Sequence, residues 1–546
     1  MTVSYAHGAS ENPLLGETIG DNLARTAAEH PDAEALVSCE QGVRWTYAEL
    51  DERVDRAAAS LIAAGLEPGD RLGIWSPNRV EWTLIQYATA RAGVILVNIN
   101  PAYRTSELEY ALRQSGCRVL IAARSFKTSD YVAVTGEVRP KLDALERAIF
   151  FETQEWDELL DAGSAVSTDE VRARAAKLAF DDPINIQYTS GTTGFPKGAT
   201  LSHHNILNNG YFVAEACRLS AEDRLCIPVP FYHCFGMVMG NLGCTTHGAT
   251  MVIPAPAFDP ESTLTAVQEE RCTALYGVPT MFIAELGHPR FEEFSLDTLR
   301  TGIMAGSPCP VEVMKQVIDR MHMEDVTICY GMTETSPVST QTGPDDPLDR
   351  RVSTVGRVHP HVEVKVVEPE TGRALERGEP GELCTRGYSV MLGYWEDEER
   401  TREAIDAGRW MHTGDLATMD EEGYVNIVGR IKDMIIRGGE NVYPREIEEF
   451  LYTHPAVADV QVIGVPDERY GEELMAWVIP REGEALDEES VRAFCEGRIA
   501  RQKVPRYVKI VDAFPMTVTG KVQKYKMRDQ AIDELGLAAA AEVQTA

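Results

Sequence analysis

The sequence predicts an α/β protein with a large N-terminal domain of parallel-rich sheets layered with helices, followed by a small α+β C-terminal domain. The chain has 546 residues, which is more than a single hydrophobic core usually serves. Short apolar runs alternate with helical stretches over most of the chain, a pattern typical of parallel strands joined by helices. From about Ile431 the elements become shorter and more mixed.

The N-terminal domain opens with a helical signal after Thr46. Apolar residues recur at helical spacing from Leu50 to Ala64, and Thr46 is a suitable N-cap. Further apolar runs read as buried strands, at residues 225–231, 249–254, 274–278, 302–306 and 326–330. Between the last two, residues 310–321 form an amphipathic helical pattern with Pro310 in its first turn. This is a strand-helix-strand unit.

The C-terminal part reads as a separate module. Residues 446–452 and 489–498 have helical patterns. The strand patterns lie at residues 457–465, 474–479 and 507–511. A glycine-rich, turn-rich stretch precedes them, which is typical of a domain boundary. We therefore expect one domain over residues 1–430 and a second over residues 431–546.

Composition excludes some classes of partner. The 85 acidic and 52 basic side chains give a formal net charge of -33, which disfavours binding to nucleic acid and to anionic membranes. The 11 cysteines include no C-x-x-C pair, so neither a zinc site nor a disulfide framework is expected. No signal peptide and no apolar stretch of about 20 residues are present. The sequence predicts a cytoplasmic protein without an integral membrane segment.

The strongest motif is YTSGTTGFPKG, from Tyr188 to Gly198. It follows a strand pattern and precedes a helix with Ser202 as its expected cap. Its glycines allow tight turns that aim backbone amides at phosphate, while hydroxyls and a lysine add further donors. The predicted phosphate contacts are Thr189, Ser190, Gly191, Thr192, Thr193, Gly194 and Lys197. The motif lacks Walker A spacing, and a hairpin without a ligand is the alternative.

This loop resembles the nucleotide-binding signature of the acyl-adenylate-forming (AMP-binding) superfamily, which includes acyl-CoA synthetases, peptide-synthetase adenylation domains and beetle luciferases. Further segments match the signatures of that superfamily in order, at Tyr330–Pro337, Trp410–Leu416, Gly429–Asp433 and Pro515–Lys521. The similarity extends from about residue 40 to about residue 530. The resemblance implies ATP, CoA and Mg²⁺ as substrates and cofactor, and a mobile C-terminal domain that acts as a lid.

The resemblance also implies roles for individual residues. Thr333 would contact phosphate and Glu334 would support Mg²⁺, a task for a hard carboxylate. Asp415 would accept hydrogen bonds from the ribose hydroxyls, and Arg430 would contact ribose or phosphate. Lys521 would reach the substrate carboxylate and the α-phosphate during adenylation.

Two further regions have implied roles near the nucleotide and at the hinge. The turn Gly306, Ser307 and Pro308 would enclose adenine together with Tyr330, although such a turn is equally a common structural device. Gly331 is also expected to belong to the nucleotide site. In the superfamily, the lysine that matches Lys432 is the hinge about which the small domain rotates between the two half-reactions.

The stretch from Phe231 to Gly240 contains no acidic residue, which disfavours an amino-acid substrate. His233 is either a gate beside the acyl pocket or a hydrogen-bonded core residue. An apolar, adaptable acyl slot is predicted. The residues expected around the acyl and CoA paths are His233, Met237, Gly240, Val278, Met304, Gly438 and Gly439.

Together these features predict a fatty acid-CoA ligase that forms an acyl-adenylate and then acyl-CoA, AMP and pyrophosphate. Medium- or long-chain fatty acids are the first expectation and aryl acids the second. An acyl-AMP ligase, an aryl-CoA ligase and a silent nucleotide-binding homologue stay open as alternatives, although a silent homologue usually loses the magnesium Glu or the catalytic Lys. The expected partners are a carboxylic acid, ATP and CoA, and a homodimer is left open.

Overall fold

The structure is a computed structural model. It describes residues 2–189, 196–307, 309–437, 440–467, 469–496, 498–517 and 522–537, apart from the side chains of residues 432, 440 and 441.

The first sheet is mixed. Its strands, in spatial order, are β21 (Gly393–Tyr394), β11 (Lys197–Ser202), β10 (Pro183–Thr189), β5 (Ile95–Ile99), β4 (Arg71–Trp75), β6 (Val119–Ala122) and β9 (Arg147–Phe150). The strands from β10 to β9 are parallel, whereas β11 and β21 run antiparallel to their neighbours. A separate small ribbon pairs β7 (Ser125–Phe126) with β8 (Ser129–Asp130).

The second sheet has a parallel centre. Its strands, in spatial order, are β18 (Arg357–Val358), β17 (Val338–Gln341), β16 (Asp325–Gly331), β15 (Thr301–Ala305), β14 (Ala274–Gly277), β12 (Arg224–Cys226), β13 (Thr250–Ile253), β2 (Glu34–Ser38) and β3 (Val43–Thr46). The run from β16 to β2 is parallel and both edges are antiparallel.

The third sheet is entirely antiparallel. Its strands, in spatial order, are β1 (Tyr5–His7), β19 (Val362–Val367), β20 (Gly381–Gly387), β22 (Met411–Met419) and β23 (Val425–Arg430). The parallel pattern of the sequence did not predict this sheet. Its strand β19 alternates buried and less buried residues over most of Val362–Val367, which is typical of a strand with one face on the core.

Helices cover the sheets of the N-terminal part. They are α1 (Ile19–Glu29), α2 (Tyr47–Ala63), α3 (Val80–Ala92), α4 (Thr105–Ser115), α5 (Tyr131–Val138), α6 (Gln154–Ala162), α7 (Thr168–Ala175), α8 (His203–Ala216), α9 (Gly243–His247), α10 (Pro260–Glu269), α11 (Pro279–Leu286), α12 (Val311–Met321), α13 (Leu348–Ser353) and α14 (Glu398–Ala404). A π-helix, Phe235–Leu242, precedes α9. One buried cluster joins the first and second sheets, and another joins the second and third.

The C-terminal module is α+β, as predicted. Its sheet contains β25 (Glu440–Val442), β24 (Ile435–Arg437), β27 (Gly471–Pro480), β26 (Val457–Asp467) and, beside β27, β28 (Tyr507–Ile510). Its helices are α15 (Pro444–Tyr452), α16 (Glu488–Cys495) and α17 (Lys524–Leu535). The first two contribute to the buried cluster on one face of the sheet, and α17 packs on the other. The Arg445 guanidinium donates to the carbonyl of Ile427 at 3.0 Å, so the module contacts β23.

The fold class is confirmed, and some element boundaries differ from the prediction. Thr46 caps α2 by accepting from the Glu49 amide, as expected. The strand predicted at residues 225–231 ends at Cys226, because Pro228 and Pro230 cannot donate to a ladder. Pro310 is the N-cap of α12 rather than a residue of its first turn.

A further difference lies beside the glycine-rich loop. The loop is followed by β11 before α8 begins, and β11 pairs antiparallel with β10, placing Thr189 opposite Lys197. The described ends of the motif therefore lie in two paired antiparallel strands, with Tyr188 also opposite Gly198. Ser202 caps α8 as predicted, by accepting from the Asn205 amide at 3.1 Å.

Of the helices in the described ranges, none has the length and apolarity that crossing a lipid bilayer requires.

Candidate active site

The candidate site lies where the three N-terminal sheets meet. The first sheet contributes Thr189 at the end of β10 and Tyr394 in β21. The second contributes Tyr330 in β16 and Glu334 in the turn that follows it. The third contributes Asp415 in β22. Residues far apart in the sequence thus converge at sheet ends, where α/β proteins commonly bind ligands.

Glu334 is buried, with 5% of its surface exposed. Its Oε1 accepts a hydrogen bond from the Tyr394 hydroxyl at 2.8 Å and a longer one from the Thr189 hydroxyl at 3.3 Å. Burial raises the pKa of Tyr394, and the charge of Glu334 raises it further, so the phenol keeps its proton and donates. The Lys197 ammonium lies 4.6 Å from the centroid of the Tyr394 ring. Tyr394 therefore connects the expected magnesium carboxylate with the phosphate-loop lysine.

The second cluster of the site is centred on Asp415. The Tyr330 hydroxyl donates to its Oδ2 at 2.6 Å, and the Arg430 Nε lies 3.2 Å from its Oδ1. Burial raises the pKa of Tyr330 well above its ordinary value. The carboxylate of Asp415 is mostly buried while the Arg430 side chain is half-exposed. Each carboxylate oxygen can accept another hydrogen bond, so the pair can also receive ligand hydroxyls.

Two glycines allow close backbone approach at this site. A Cβ on Gly331 would lie 1.7 Å from the carbonyl oxygen of Pro337, so only glycine fits. Gly306 has a φ of +92° directly after β15, in the region that favours glycine. Ser307 follows it and is partly buried. The turn therefore requires glycine at position 306, both if it encloses adenine and if it is only a structural turn.

Thr333 is buried beside Glu334 in the turn Thr333–Thr335. The Glu334 carbonyl accepts from the Met391 amide at 2.9 Å, which ties this turn to the segment before β21. Lys432 lies in the turn Ile431–Asp433, between the last strand of the third sheet and the first strand of the C-terminal sheet. Its assignment as a hinge stays a prediction.

The predicted acyl region contains a buried polar network around Met237. Its sulfur accepts from the side-chain amides of Asn98 and Gln187, both at 3.1 Å. Its carbonyl accepts from the Gln86 side chain at 3.1 Å. Cys234 donates to Gln187 at 3.2 Å. Met237 is thus held in place rather than free to adapt.

The other predicted acyl residues divide between two sides of the second sheet. Val278 belongs to the cluster between the first and second sheets. Gly240 faces Ile227, which a Cβ would contact at 3.1 Å. His233 precedes the π-helix, and its Nδ1 accepts from the Phe235 amide at 3.1 Å. Met304, in contrast, lies in the cluster on the opposite face of β15, because neighbouring strand residues point to opposite faces. The structure does not bring Met304 together with the others.

Several predicted site residues lie outside the described residues. They are Ser190, Gly191, Thr192, Thr193, Gly194, Pro308, Gly438, Gly439 and Lys521.

The structure adds side chains that the sequence reasoning missed. Tyr394 follows Gly393 in a two-residue strand, which is too short to give a periodic signal. Glu382 belongs to the segment GELC in β20, and its carboxylate accepts from the Gly414 amide at 3.1 Å. Asn98 and Gln187 lie within apolar strands. The one sequence signal that could have identified them is that they are polar residues among buried apolar neighbours.

Comparisons with known proteins establish the class. Residues 23–395 match the model of the AMP-binding enzyme family, and residues 446–521 match that of the AMP-binding enzyme C-terminal domain. The chain belongs to the AMP-binding enzyme family. The acyl-adenylate-forming superfamily expected from the motifs is thereby confirmed.

Individual relatives refine that class. YngI of Bacillus subtilis (strain 168), whose name assigns it provisionally to the acyl-CoA synthetases, is 50% identical over 96% of this chain and 99% of its own. The mitochondrial medium-chain acyl-CoA ligase of Danio rerio is 46% identical over 98% of this chain and 92% of its own. ATP-bound MatB from Rhodopseudomonas palustris matches with a TM-score of 0.83 and 32% identity, over 94% of this chain and 99% of its own. The expected resemblance to acyl-CoA synthetases is confirmed, and the Danio rerio relative is named as a medium-chain ligase.

Proposed function

We propose that this protein is an AMP-forming acyl-CoA synthetase that activates medium-chain fatty acids. Fatty acid, ATP and CoA are converted to acyl-CoA, AMP and pyrophosphate. The observation that carries the proposal is the identity of 44–50% with acyl-CoA synthetases and ligases that extends over nearly the whole chain. The chain-length class comes from the name of the medium-chain relatives, and the stretch from Phe231 to Gly240, which contains no acidic residue, offers no anchor for the ammonium group of an amino acid.

The first half-reaction joins the fatty acid to the nucleotide. A carboxylate oxygen of the fatty acid attacks the α-phosphorus of ATP, and the bond from that phosphorus to the pyrophosphate oxygen breaks. Asp415 accepts from the ribose hydroxyls, with Arg430 beside it. Tyr330 holds Asp415 through its hydroxyl. Thr333 and Lys521 are assigned to the phosphate and carboxylate charge, where fixed donors lower the barrier most effectively.

A magnesium ion fits the residues around Glu334. The carboxylate is a hard oxygen ligand, it is buried, and two hydroxyl groups orient one of its oxygens. Among the described residues none donates a hydrogen bond to its Oε2, which leaves that oxygen suited to a cation. When bound, Mg²⁺ would offset the negative charge of the phosphates.

The second half-reaction transfers the acyl group to CoA. The thiolate of CoA attacks the acyl carbonyl carbon, and the bond to the AMP oxygen breaks, releasing AMP. A rotation of residues 431–546 about Lys432 would remove Lys521 from the site before CoA enters. The two-domain division and this rotation are part of the proposal, as are the cytoplasmic location and a role in lipid metabolism.

A pyrophosphate-release assay tests the proposal. It is run with Mg-ATP and octanoate, palmitate, benzoate or alanine, each with and without CoA. We expect the largest value of kcat/KM with octanoate, a further increase when CoA is added, and loss of release in Lys521→Ala. Release that is independent of CoA would indicate an acyl-AMP ligase, and preference for benzoate an aryl-CoA ligase. Absence of release with every acid would contradict an enzymatic function.

A further inference from the structure

Strand β22 contains an irregular segment, the Asp415 bulge, which consists of residues Thr413–Asp415. In the pairing of β22 with β20, Glu382 lies opposite Leu416 and Cys384 opposite His412. The three bulge residues therefore face Leu383 alone. Gly414 has a φ of +70°, and the extra residues bend the strand. The bulge presents the Asp415 carboxylate to Tyr330 of the second sheet.

Hydrogen bonds outside the regular ladder hold this bulge. The Thr413 hydroxyl donates to the Leu383 carbonyl at 2.6 Å and accepts from the Asp415 amide at 3.2 Å. The Gly414 amide donates to Oε1 of Glu382 at 3.1 Å. Glu382 is 7% exposed, so its carboxylate offers the bulge a charged acceptor that is shielded from water.

The other carboxylate oxygen of Glu382, Oε2, interacts with His412. His412 Nδ1 lies 2.8 Å from Oε2 of Glu382 and 3.6 Å from Cys384 Sγ. The hydrogen bonds to Cys384 and Glu382 raise the pKa of His412 to about 10, so the ring is protonated at neutral pH and donates. The Glu382 carboxylate thus connects the cationic ring of His412 with the amide of Gly414, two residues later in the same strand.

We propose that Glu382, held by His412, is a positioning residue that fixes the Gly414 amide and so orients the Asp415 carboxylate toward the ribose of ATP. Glu382 does not contact the nucleotide itself. The inference rests on the proposed function, because it requires that Asp415 accepts from the ribose. Loss of the carboxylate weakens nucleotide binding, while the groups that act on the α-phosphate stay in place. The effect therefore falls on KM for ATP rather than on kcat.

The test compares Glu382→Leu, which removes both acceptors, with Glu382→Gln, which keeps one acceptor for the Gly414 amide. Glu363→Leu is the matched control, because Glu363 lies in β19 of the same sheet and pairs with Arg386 away from the bulge. We expect Glu382→Leu to raise KM for ATP and Kd for AMP about tenfold, with kcat changed less than about twofold. Glu382→Gln should recover most of the affinity, and Glu363→Leu should behave as the unmodified protein.

Hydrogen exchange provides a second readout without ligand. Exchange at residues 412–416 should accelerate in Glu382→Leu and not in Glu363→Leu. If Glu382→Leu does not fold, His412→Ala and His412→Asn replace it, since asparagine retains an N–H donor and should preserve KM better than alanine.

The positioning role would be overturned if KM for ATP and the exchange rates stay unchanged. It would also be overturned if kcat falls as much as KM rises and the melting temperature falls with them. Unmodified protein that binds no AMP would instead overturn the proposed function, and with it this inference.

Discussion

Replacing Asp415 by asparagine tests the nucleotide site most directly. The substitution keeps the shape of the side chain and removes its charge and one acceptor oxygen. Hydrogen bonds to a charged group contribute about 1.5–3 kcal/mol each, against about 0.5–1.5 kcal/mol for neutral ones. If two ribose hydroxyls bind this carboxylate, Asp415→Asn loses about 2–3 kcal/mol of binding free energy, which corresponds to about 30- to 150-fold in affinity.

The experiment is a thermodynamic cycle that combines the substitution in the protein with removal of one ribose hydroxyl from the ligand. Dissociation constants are measured by calorimetry for AMP, 2′-deoxy-AMP and 3′-deoxy-AMP with the unmodified protein and with Asp415→Asn. We expect each deoxynucleotide to bind the unmodified protein more weakly than AMP. In Asp415→Asn the difference between AMP and the deoxynucleotides should become smaller, because any hydrogen bond that remains is to a neutral acceptor.

The matched control is Asp345→Asn. Asp345 forms an ion pair with Arg218 on the surface and is largely exposed, so its loss should leave all dissociation constants unchanged. Discrimination against the deoxynucleotides that stays the same in Asp415→Asn would show that the ribose binds elsewhere and would refute the assignment.

The remaining predictions concern stability. Tyr394→Phe leaves the buried Glu334 carboxylate without its shorter hydrogen bond and should cost about 1.5–3 kcal/mol of unfolding free energy, measured by urea denaturation. Gly331→Ala places a methyl group against the Pro337 carbonyl and should cost about 3 kcal/mol or more, with loss of AMP binding in calorimetry. Burial raises the pKa of Asp459 to about 6. The folded state then binds more protons than the unfolded state between about pH 4 and 6, and stability falls as pH rises through this range. Asp459→Asn should therefore raise the melting temperature more at pH 7.5 than at pH 4.5.

Each stability prediction has an outcome that contradicts it. Tyr5→Phe removes a hydrogen bond of the same kind, from the Tyr5 hydroxyl to Glu363 at 2.7 Å on the exposed surface, and should cost less than Tyr394→Phe. Equal costs would mean that burial adds nothing at Glu334. Full AMP affinity in Gly331→Ala would show that the turn tolerates a Cβ. A pH-independent effect of Asp459→Asn would mean that the carboxyl is not held in its neutral form by burial.

Local sequence patterns predicted much of this protein. The helical spacing after Thr46 and its capping hydroxyl predicted α2 closely, because helix periodicity and capping depend on neighbours within a few residues. The strands β26, β27 and β28 and the helices α15 and α16 were also predicted near their observed bounds, whereas β24, β25 and α17 were not predicted. The motif residues were identifiable because each lies in a short segment of fixed order, from the glycine-rich loop to Asp415.

Only the tertiary structure decided which side chains support those motifs. Tyr394 and Glu334 are 60 positions apart, and Glu382 is 32 positions from Gly414, so no local pattern connects them. The all-antiparallel third sheet and the strand β11 after the loop depend on long-range pairing in the same way. Met304 is a flexible apolar residue of the kind that lines pockets. Side chains alternate between the two faces of β15, however, and Met304 lies on the other face of the sheet. Sequence determines chemistry and local conformation over a few residues, whereas the orientation of a strand face and the partner of a buried carboxylate follow from how the sheets pack.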